Sequence, residues 1–329
     1  MMEARAQTMI EALRDGLREE MARDERVILL GEDIGMAGGI FQATAGLRGE
    51  FGRSRVWDMP LAENGIVGIS IGAALGGFRP VAEIQFADFM FAAMHQIINE
   101  AAKMRYRSRG QWSCPIVIRA PFGGGVGGGP DHSQSIEAFF AHIPGLKVVI
   151  PSTPADIKGL IKAAIRDEDP VIFLEPKRLY HDGTGEVPGD DYIVPLGQAI
   201  VRRVGNDVSV ITYGAMVAES LAAADVLLQE GIDIEVVDIR TLQPLDLLTI
   251  ATSVHKTNHA IVFHEATRFG GFGAELAAYI SEACFEDLDG PVLRVGAQHL
   301  PIPAHPDLER AVLPSAHTLI KAVQHLSTY

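Results

Sequence analysis

Apolar positions along the chain fall into two alternating periods. Met9, Ile10, Leu13, Leu17 and Met21 recur at helical spacing and predict an amphipathic helix over about residues 5–23. Val27-Ile28-Leu29-Leu30 is a short continuous apolar run, the pattern of a strand covered on both faces. The same alternation continues. Strands are predicted at Pro80–Ile84, Pro115–Pro121, Leu146–Ile150 and Val171–Leu174. Helices are predicted from Glu63, from Phe91 to about Tyr106, and from a Ser152 or Thr153 cap to Arg166. A helical segment is predicted at Ser133–His142, and an irregular glycine-rich loop from about Met36 to Arg55.

From Pro176 to Asn206 the pattern lapses into charges, glycines and prolines. It then resumes with strands at Val208–Tyr213, Ile234–Ile239, Ala260–His264 and Val292–Val295. Helices are predicted between and after them at Met216–Glu230, Leu245–Val254, Gly273–Phe285 and near Ser315–Leu326. Strands alternating with helices predict an α/β protein of two domains, each a mostly parallel sheet flanked by helices. The expected division is residues 1–185, a connection at 186–206, and a second domain at 207–329.

The 329-residue length agrees with two domains, since single cores rarely grow beyond roughly 250–300 residues. The formal net charge of -14 speaks against nucleic acid or an anionic membrane as partner. No run of about 18 apolar residues is present, and Met1–Arg5 lacks the apolar core of a signal peptide. The two cysteines, Cys114 and Cys284, have no metal-ligand spacing and offer no disulfide framework, so a cytoplasmic location is expected.

Three stretches carry candidate chemistry. Glu63 is a single carboxylate among apolar and small residues at the start of a predicted helix. Either it is a surface acid favoured by the helix dipole, or a desolvated carboxyl able to hold a proton near neutrality. Its helix contains Gly65, Gly68, Gly72, Gly76 and Gly77, each costly in a helix interior unless another backbone packs closely, within the domain or from a second subunit. Gly31-Glu32-Asp33-Ile34 is an acidic turn at a strand's C-terminal end, where ligands gather in parallel sheets; a solvated loop explains two acids equally well. Gly123, Gly125 and Gly128 spell a literal G-x-G-x-x-G. It fits a dinucleotide site badly, because no helix follows at once and the next strand ends at Ile150-Pro151 rather than at an acid. A flexible loop carrying His132 suits proton transfer or anion binding better, although one histidine can also simply cap or fill a core.

Pro60–Gly68, Ile84-Gln85-Phe86-Ala87-Asp88-Phe89 and Asp131-His132-Ser133-Gln134-Ser135, in this order and spacing, closely resemble the beta subunits of thiamine-diphosphate-dependent 2-oxo acid dehydrogenases. The resemblance runs from about Ala6 to about Leu326. It implies a transketolase-like pyrimidine-binding domain followed by a transketolase C-terminal-like domain. It implies that Glu63 hydrogen-bonds the aminopyrimidine ring nitrogen, favouring the imino tautomer that accepts the thiazolium proton. Phe89 matches the aromatic residue stacked on that ring, Gln85 and Leu61 line the same pocket, and Glu32 matches an acid close to Glu63. His132 matches a histidine on the substrate and lipoyl side.

His181-Asp182-Gly183 lacks the first glycine of the usual Gly-Asp-Gly and no Asn pair follows, so only half a thiamine site is present. The resemblance assigns the diphosphate and its magnesium to a separate alpha subunit, in a heterotetramer of two alpha and two beta chains. It further implies a potassium ion held mainly by backbone carbonyls at Ile116, Ala164, Ile165, Asp167 and Asp169.

The expected reaction is decarboxylation of a 2-oxo acid followed by reductive acylation of a lipoyl group on an acyltransferase core. Ile84–Phe89, Glu137–His142 and Glu175–Tyr180 look closer to branched-chain than to pyruvate members. A pyruvate or acetoin enzyme is the alternative, as is a non-catalytic assembly subunit, against which the joint presence of Glu63 and His132 speaks. Pro130 and Asp131, just before His132, depart from the family pattern and put substrate contacts of that loop in doubt.

Overall fold

The computed structural model describes residues 4–189 and 191–329. The described residues up to Phe122, together with Phe139–Leu196, form one compact unit; Gly123–Ala138 with Gly197–Tyr329 form the other.

In the first unit the strands β2 (Val27–Gly31), β3 (Val56–Asp58), β4 (Arg79–Glu83), β5 (Val117–Phe122), β6 (Lys147–Val149) and β7 (Val171–Pro176) lie in the order β6-β7-β5-β4-β2-β3. Every pairing in this run is parallel, with Leu29 opposite both Val56 and Val81 and Ile118 opposite Ile172. β2, β5 and β7 are buried at every position, which is why their sequences read as near-continuous apolar runs, interrupted only by Arg119 in β5 and Glu175 in β7, rather than alternating ones. Helix α1 (Met9–Arg23) begins at a capping box between Thr8 and Glu11. It packs on α6 (Pro154–Arg166), capped by Thr153 with Pro154 in its first turn. A Cβ on Gly16 would stand 2.8 Å from Ile161 Cγ2, so only glycine lets these helices approach so closely.

The second unit has a sheet ordered β13-β12-β10-β11-β9, built from β9 (Ile200–Arg203), β10 (Val208–Thr212), β11 (Ile234–Asp238), β12 (Ala260–Thr267) and β13 (Leu293–Ala297). All pairings are parallel except the β9 edge, which runs antiparallel to β11. Both sheets and their flanking helices match the α/β architecture expected from the apolar periodicity.

Some local expectations give way. Arg5–Gln7 is a strand, β1, antiparallel to β8 (Gly185–Val187), and the helix starts only at Met9. Backbone pairing, invisible to helical periodicity, claims those residues. The helix expected up to Tyr106 is broken into a 3₁₀ segment (Ala87–Ala93), a π segment (Gln96–Ala101) and α4 (Met104–Arg107). Arg107 Nη1 donates to the Asn99 carbonyl at 2.7 Å, taking an acceptor that a regular helix would use internally. The loop expected at 36–55 contains a short helix, α2 (Leu47–Phe51). The helical segment expected at Ser133–His142 contracts to α5 (Glu137–Ala141), because the Gln134 carbonyl accepts from the Gly123 amide and Ser135 Oγ donates to Glu265. The connection read at 176–206 carries β8 and β9.

Candidate active site

β4, β2 and β3 are neighbours, and the segments leaving their C-terminal ends hold the candidate residues of the first unit. Glu32 follows β2 directly, and the next residue, Asp33, turns the chain at φ 56°, a left-handed conformation that aspartate tolerates better than most residues. Leu61 lies between β3 and helix α3 (Glu63–Leu75), with 73% of its surface exposed, and Glu63 is half-buried in the first turn of α3. Gln85 and Phe89 follow β4; both are half-buried, and the Phe89 ring meets Phe86 edge-on at 5.7 Å. Burial raises the Glu32 carboxyl above its ordinary range, and the charges of Asp33 and Glu63 add to this. The Glu63 charge is thus felt at Glu32, as the smallest of the three causes. A half-buried aromatic ring and two carboxyls at the C-terminal edge of a parallel sheet suit a flat, polar heteroaromatic ring such as an aminopyrimidine.

Close to these residues lies a group that sequence reasoning missed. Arg119 of β5 is buried between two carboxylates. It donates from Nε to Glu175 Oε1 at 2.6 Å and from Nη2 to Glu175 Oε2 at 2.7 Å, and Nη1 pairs with Glu83. Tyr180 donates its hydroxyl to Glu175 and is also fully buried. The two carboxylates hold the guanidinium charged, well above its already high range, while burial pushes Glu83 and Tyr180 upward. Gly39 lies directly against Glu83, where a Cβ would come within 2.9 Å of Oε1. The available signal was a charged residue inside or ending three apolar strands: Glu83, Arg119 and Glu175.

The carbonyls expected to face potassium already have partners. The Ile116 carbonyl accepts from the Val171 amide and the Ala164 carbonyl from the Asp167 amide. Arg79 Nη1 donates to the carbonyls of Ile165 at 3.0 Å and Asp167 at 2.9 Å. The Asp169 carboxylate pairs with Arg105 at 2.5 Å, and Asp167 with Lys147 at 2.5 Å. Each carbonyl oxygen has a second lone pair and could still accept a hard monovalent cation, but the Arg79 guanidinium at the Ile165 and Asp167 carbonyls would oppose its charge.

In the second unit His132 is half-buried at the end of the glycine loop. Gly123, Gly125, Gly127 and Gly129 all have φ between 69° and 88°. The Gly124 amide donates to Glu265 Oε1 at 2.6 Å. The amides of Gly125 and Gly127 donate to Glu309 Oε1 and Oε2 at 2.8 and 3.0 Å. Behind the loop, Tyr213 donates its hydroxyl to Glu137 Oε1 at 2.8 Å and stacks parallel to His264, with ring centroids 6.2 Å apart. Burial pushes the Glu137 carboxyl up to about 7 and the His264 imidazole down to about 4. Glu137, Tyr213, Glu265 and Glu309 were not among the residues the sequence singled out for chemistry; they lie far apart along the chain, and only the fold assembles them.

Residues 5–182 match the family model of the transketolase pyrimidine binding domain, and residues 197–319 that of the transketolase C-terminal domain. The chain is 52% identical over 321 residues to the 2-oxoisovalerate dehydrogenase subunit beta of Bacillus subtilis, covering 97% of this chain and 98% of that one. The pyruvate dehydrogenase E1 component subunit beta of the same organism is 53% identical over 290 residues, covering 88% and 89%. The corresponding subunit of Staphylococcus aureus is 46% identical over 314 residues, covering 95% and 96%. Among solved structures, a split-gene transketolase described as an inactive beta4 tetramer superposes with a TM-score of 0.80 at 25% identity over 98% of both chains. These matches and the two parallel sheets define a transketolase-type α/β protein. The chain belongs to the family of 2-oxo acid dehydrogenase beta subunits. No helix among the described residues is long and apolar enough to cross a membrane.

Proposed function

We propose that this chain is the catalytic beta subunit of a thiamine-diphosphate-dependent, lipoyl-acylating 2-oxo acid dehydrogenase, active with an alpha subunit as a cytoplasmic heterotetramer. The observation that carries the reading is the placement of Glu32, directly after β2, and Glu63, in the first turn of α3, at the C-terminal edge of the first sheet. When bound, thiamine diphosphate supplies the carbon nucleophile that adds to the 2-oxo acid and accepts the electrons released with carbon dioxide. Glu63 would hydrogen-bond the aminopyrimidine ring nitrogen, and Glu32 would share its proton. Phe89 would cover the ring face, with Gln85 and Leu61 beside it. His132 would serve proton transfer and anion binding on the substrate and lipoyl side.

The alpha subunit would hold the diphosphate and its magnesium, since His181-Asp182-Gly183 lacks the usual oxygen-donor pattern. Leu61 and Ile69, 73% and 46% exposed, and Gly72, whose Cβ would meet nothing within 4 Å, support a partner on the open side of α3. The carbonyls of Ile116, Ala164, Ile165, Asp167 and Asp169 would hold potassium alongside Arg79. The functional division is residues 1–185, 186–206 and 207–329, supported by the two family matches. The acyltransferase core carrying the lipoyl group is the second partner.

A branched-chain 2-oxo acid is the proposed substrate, supported by 52% identity over nearly the whole length of the 2-oxoisovalerate enzyme's subunit. The 53% identity to a pyruvate enzyme's subunit favours pyruvate as the second reading.

Calorimetry with thiamine diphosphate tests the shared site. No heat is expected with this chain alone, and magnesium-dependent binding with the alpha subunit added. Tight binding by the isolated chain would refute the division of the site. Absence of binding in both cases, or full activity of Glu63→Gln in the reconstituted complex, would leave the chain an assembly subunit. Rates with branched-chain 2-oxo acids, pyruvate and acetoin then decide the substrate.

A further inference from the structure

The G-x-G-x-x-G loop has the backbone of an anion-binding concavity, with successive amides turned to one side by alternating left-handed glycines. In other proteins such loops hold phosphate. Here an internal carboxylate fills the concavity: Glu309, 4% exposed, bridges the Gly125 and Gly127 amides through its two oxygens. Glu265, 7% exposed, takes the Gly124 amide and the Ser135 hydroxyl through one oxygen. These contacts bracket His132: three lie before it in the chain and one after. The fit is tight: a Cβ on Gly123 would stand 2.4 Å from Glu265 Oε1, and one on Gly124 would stand 2.9 Å from Leu313 Cδ1.

We infer that Glu309, with Glu265, is a positioning residue that holds the glycine loop and sets the reach of His132. Glu309 is the fourth residue of the helix Pro306–Val312, and Val312 and Leu313 behind it pack with Ala297 and Ile302. The bidentate grip removes freedom from a loop of six glycines, Gly123–Gly125 and Gly127–Gly129, whose backbone entropy would otherwise be the largest of any residue type. The literal dinucleotide motif thus acts as an intramolecular clasp. The inference rests on the proposed role of His132, and its structural half can be read without that role.

The test uses the full chain and its reconstituted complex. Glu309→Gln keeps the shape and replaces one amide acceptor with an opposing donor. Gly127→Ala strains the same clasp from the exposed loop side, because φ is 72°, a left-handed conformation that alanine adopts only at a cost; the nearest atom to the added Cβ is 3.5 Å away, so the strain stays local and the variant serves if Glu309→Gln fails to fold. Hydrogen exchange of the peptide spanning residues 123–132 is expected to accelerate about tenfold or more in each variant, as loss of a hydrogen bond to a charged group predicts. In the complex, transfer to a lipoyl-domain acceptor is expected to fall about tenfold, while decarboxylation coupled to a soluble dye stays within about twofold, since a misplaced loop costs positioning rather than cofactor activation. Unchanged exchange in both variants would overturn the clasp. Accelerated exchange with an unchanged lipoyl rate, where His132→Ala does lower that rate, would overturn the positioning role and leave the function intact. An unaffected lipoyl rate in His132→Ala would instead refute the role of His132 and with it the positioning of His132.

Discussion

Glu137 offers a quantitative test of how the second unit is held together. Its side chain is fully buried, and the Tyr213 hydroxyl donates to its Oε1. Burial, aided by the nearby charge of Glu265, raises the carboxyl from 4.5 to about 7; its own backbone amide and Tyr213 oppose the rise without cancelling it. Folding therefore binds a proton more tightly here than the unfolded chain does. The stabilisation is fully present below pH 4.5 and is lost as pH rises through about 7. At about 1.4 kcal/mol per pH unit, that interval corresponds to about 3 kcal/mol. Glu137→Gln mimics the protonated acid, keeps an acceptor for Tyr213, and cannot ionise. The variant should match the wild-type chain near pH 4.5 and exceed it by about 3 kcal/mol at pH 8. Urea unfolding followed by circular dichroism, with both proteins compared at each pH, isolates this one group because all other titrations cancel. A stability difference that stays flat between pH 5 and 8, or a variant less stable at pH 8, would refute the assignment.

Other perturbations follow from the same geometry. Arg119→Ala strands Glu83 and Glu175 as buried carboxylates and should cost about 3–5 kcal/mol, read from denaturant midpoints; a loss below about 1 kcal/mol would mean water reaches the group. In that variant the loss should shrink at low pH, where both acids can protonate. Arg79→Ala removes two hydrogen bonds to the Ile165 and Asp167 carbonyls and should lower stability by about 1–3 kcal/mol. Replacing sodium with potassium should recover more of that loss in the variant than it adds to the wild-type chain, and an equal effect on both would argue against a cation at these carbonyls. Gly273→Ala would drive a methyl to within 2.3 Å of His264 and should destabilise by about 1–3 kcal/mol, measured by thermal unfolding.

The apolar runs at Val27–Leu30, Pro115–Pro121 and Val171–Leu174 were enough to place the central strands of the first sheet, because a strand buried on both faces has no alternative pattern. The linear motifs around Glu63, Phe89 and His132 were likewise visible, since each is contiguous. The helix to Tyr106 is interrupted by a π segment, within which the Asn99 carbonyl accepts from the Arg107 guanidinium, and the apolar period reports neither. The helix at Ser133 was misread because Glu265, more than a hundred residues further on, competes for Ser135.

Local sequence therefore specified the α/β class, the order of most strands and helices, and the chemistry-bearing segments, each of which depends on neighbours a few positions apart. It could not specify the Arg119 cluster, the Glu137–Tyr213 pair or the Glu309 clasp. Those join residues 36 to 184 positions apart, and their energies come from burial and from distances near 3 Å. Burial is a property of the packed chain, so the same glycine motif could be written for a phosphate and yet close around a carboxylate of its own protein.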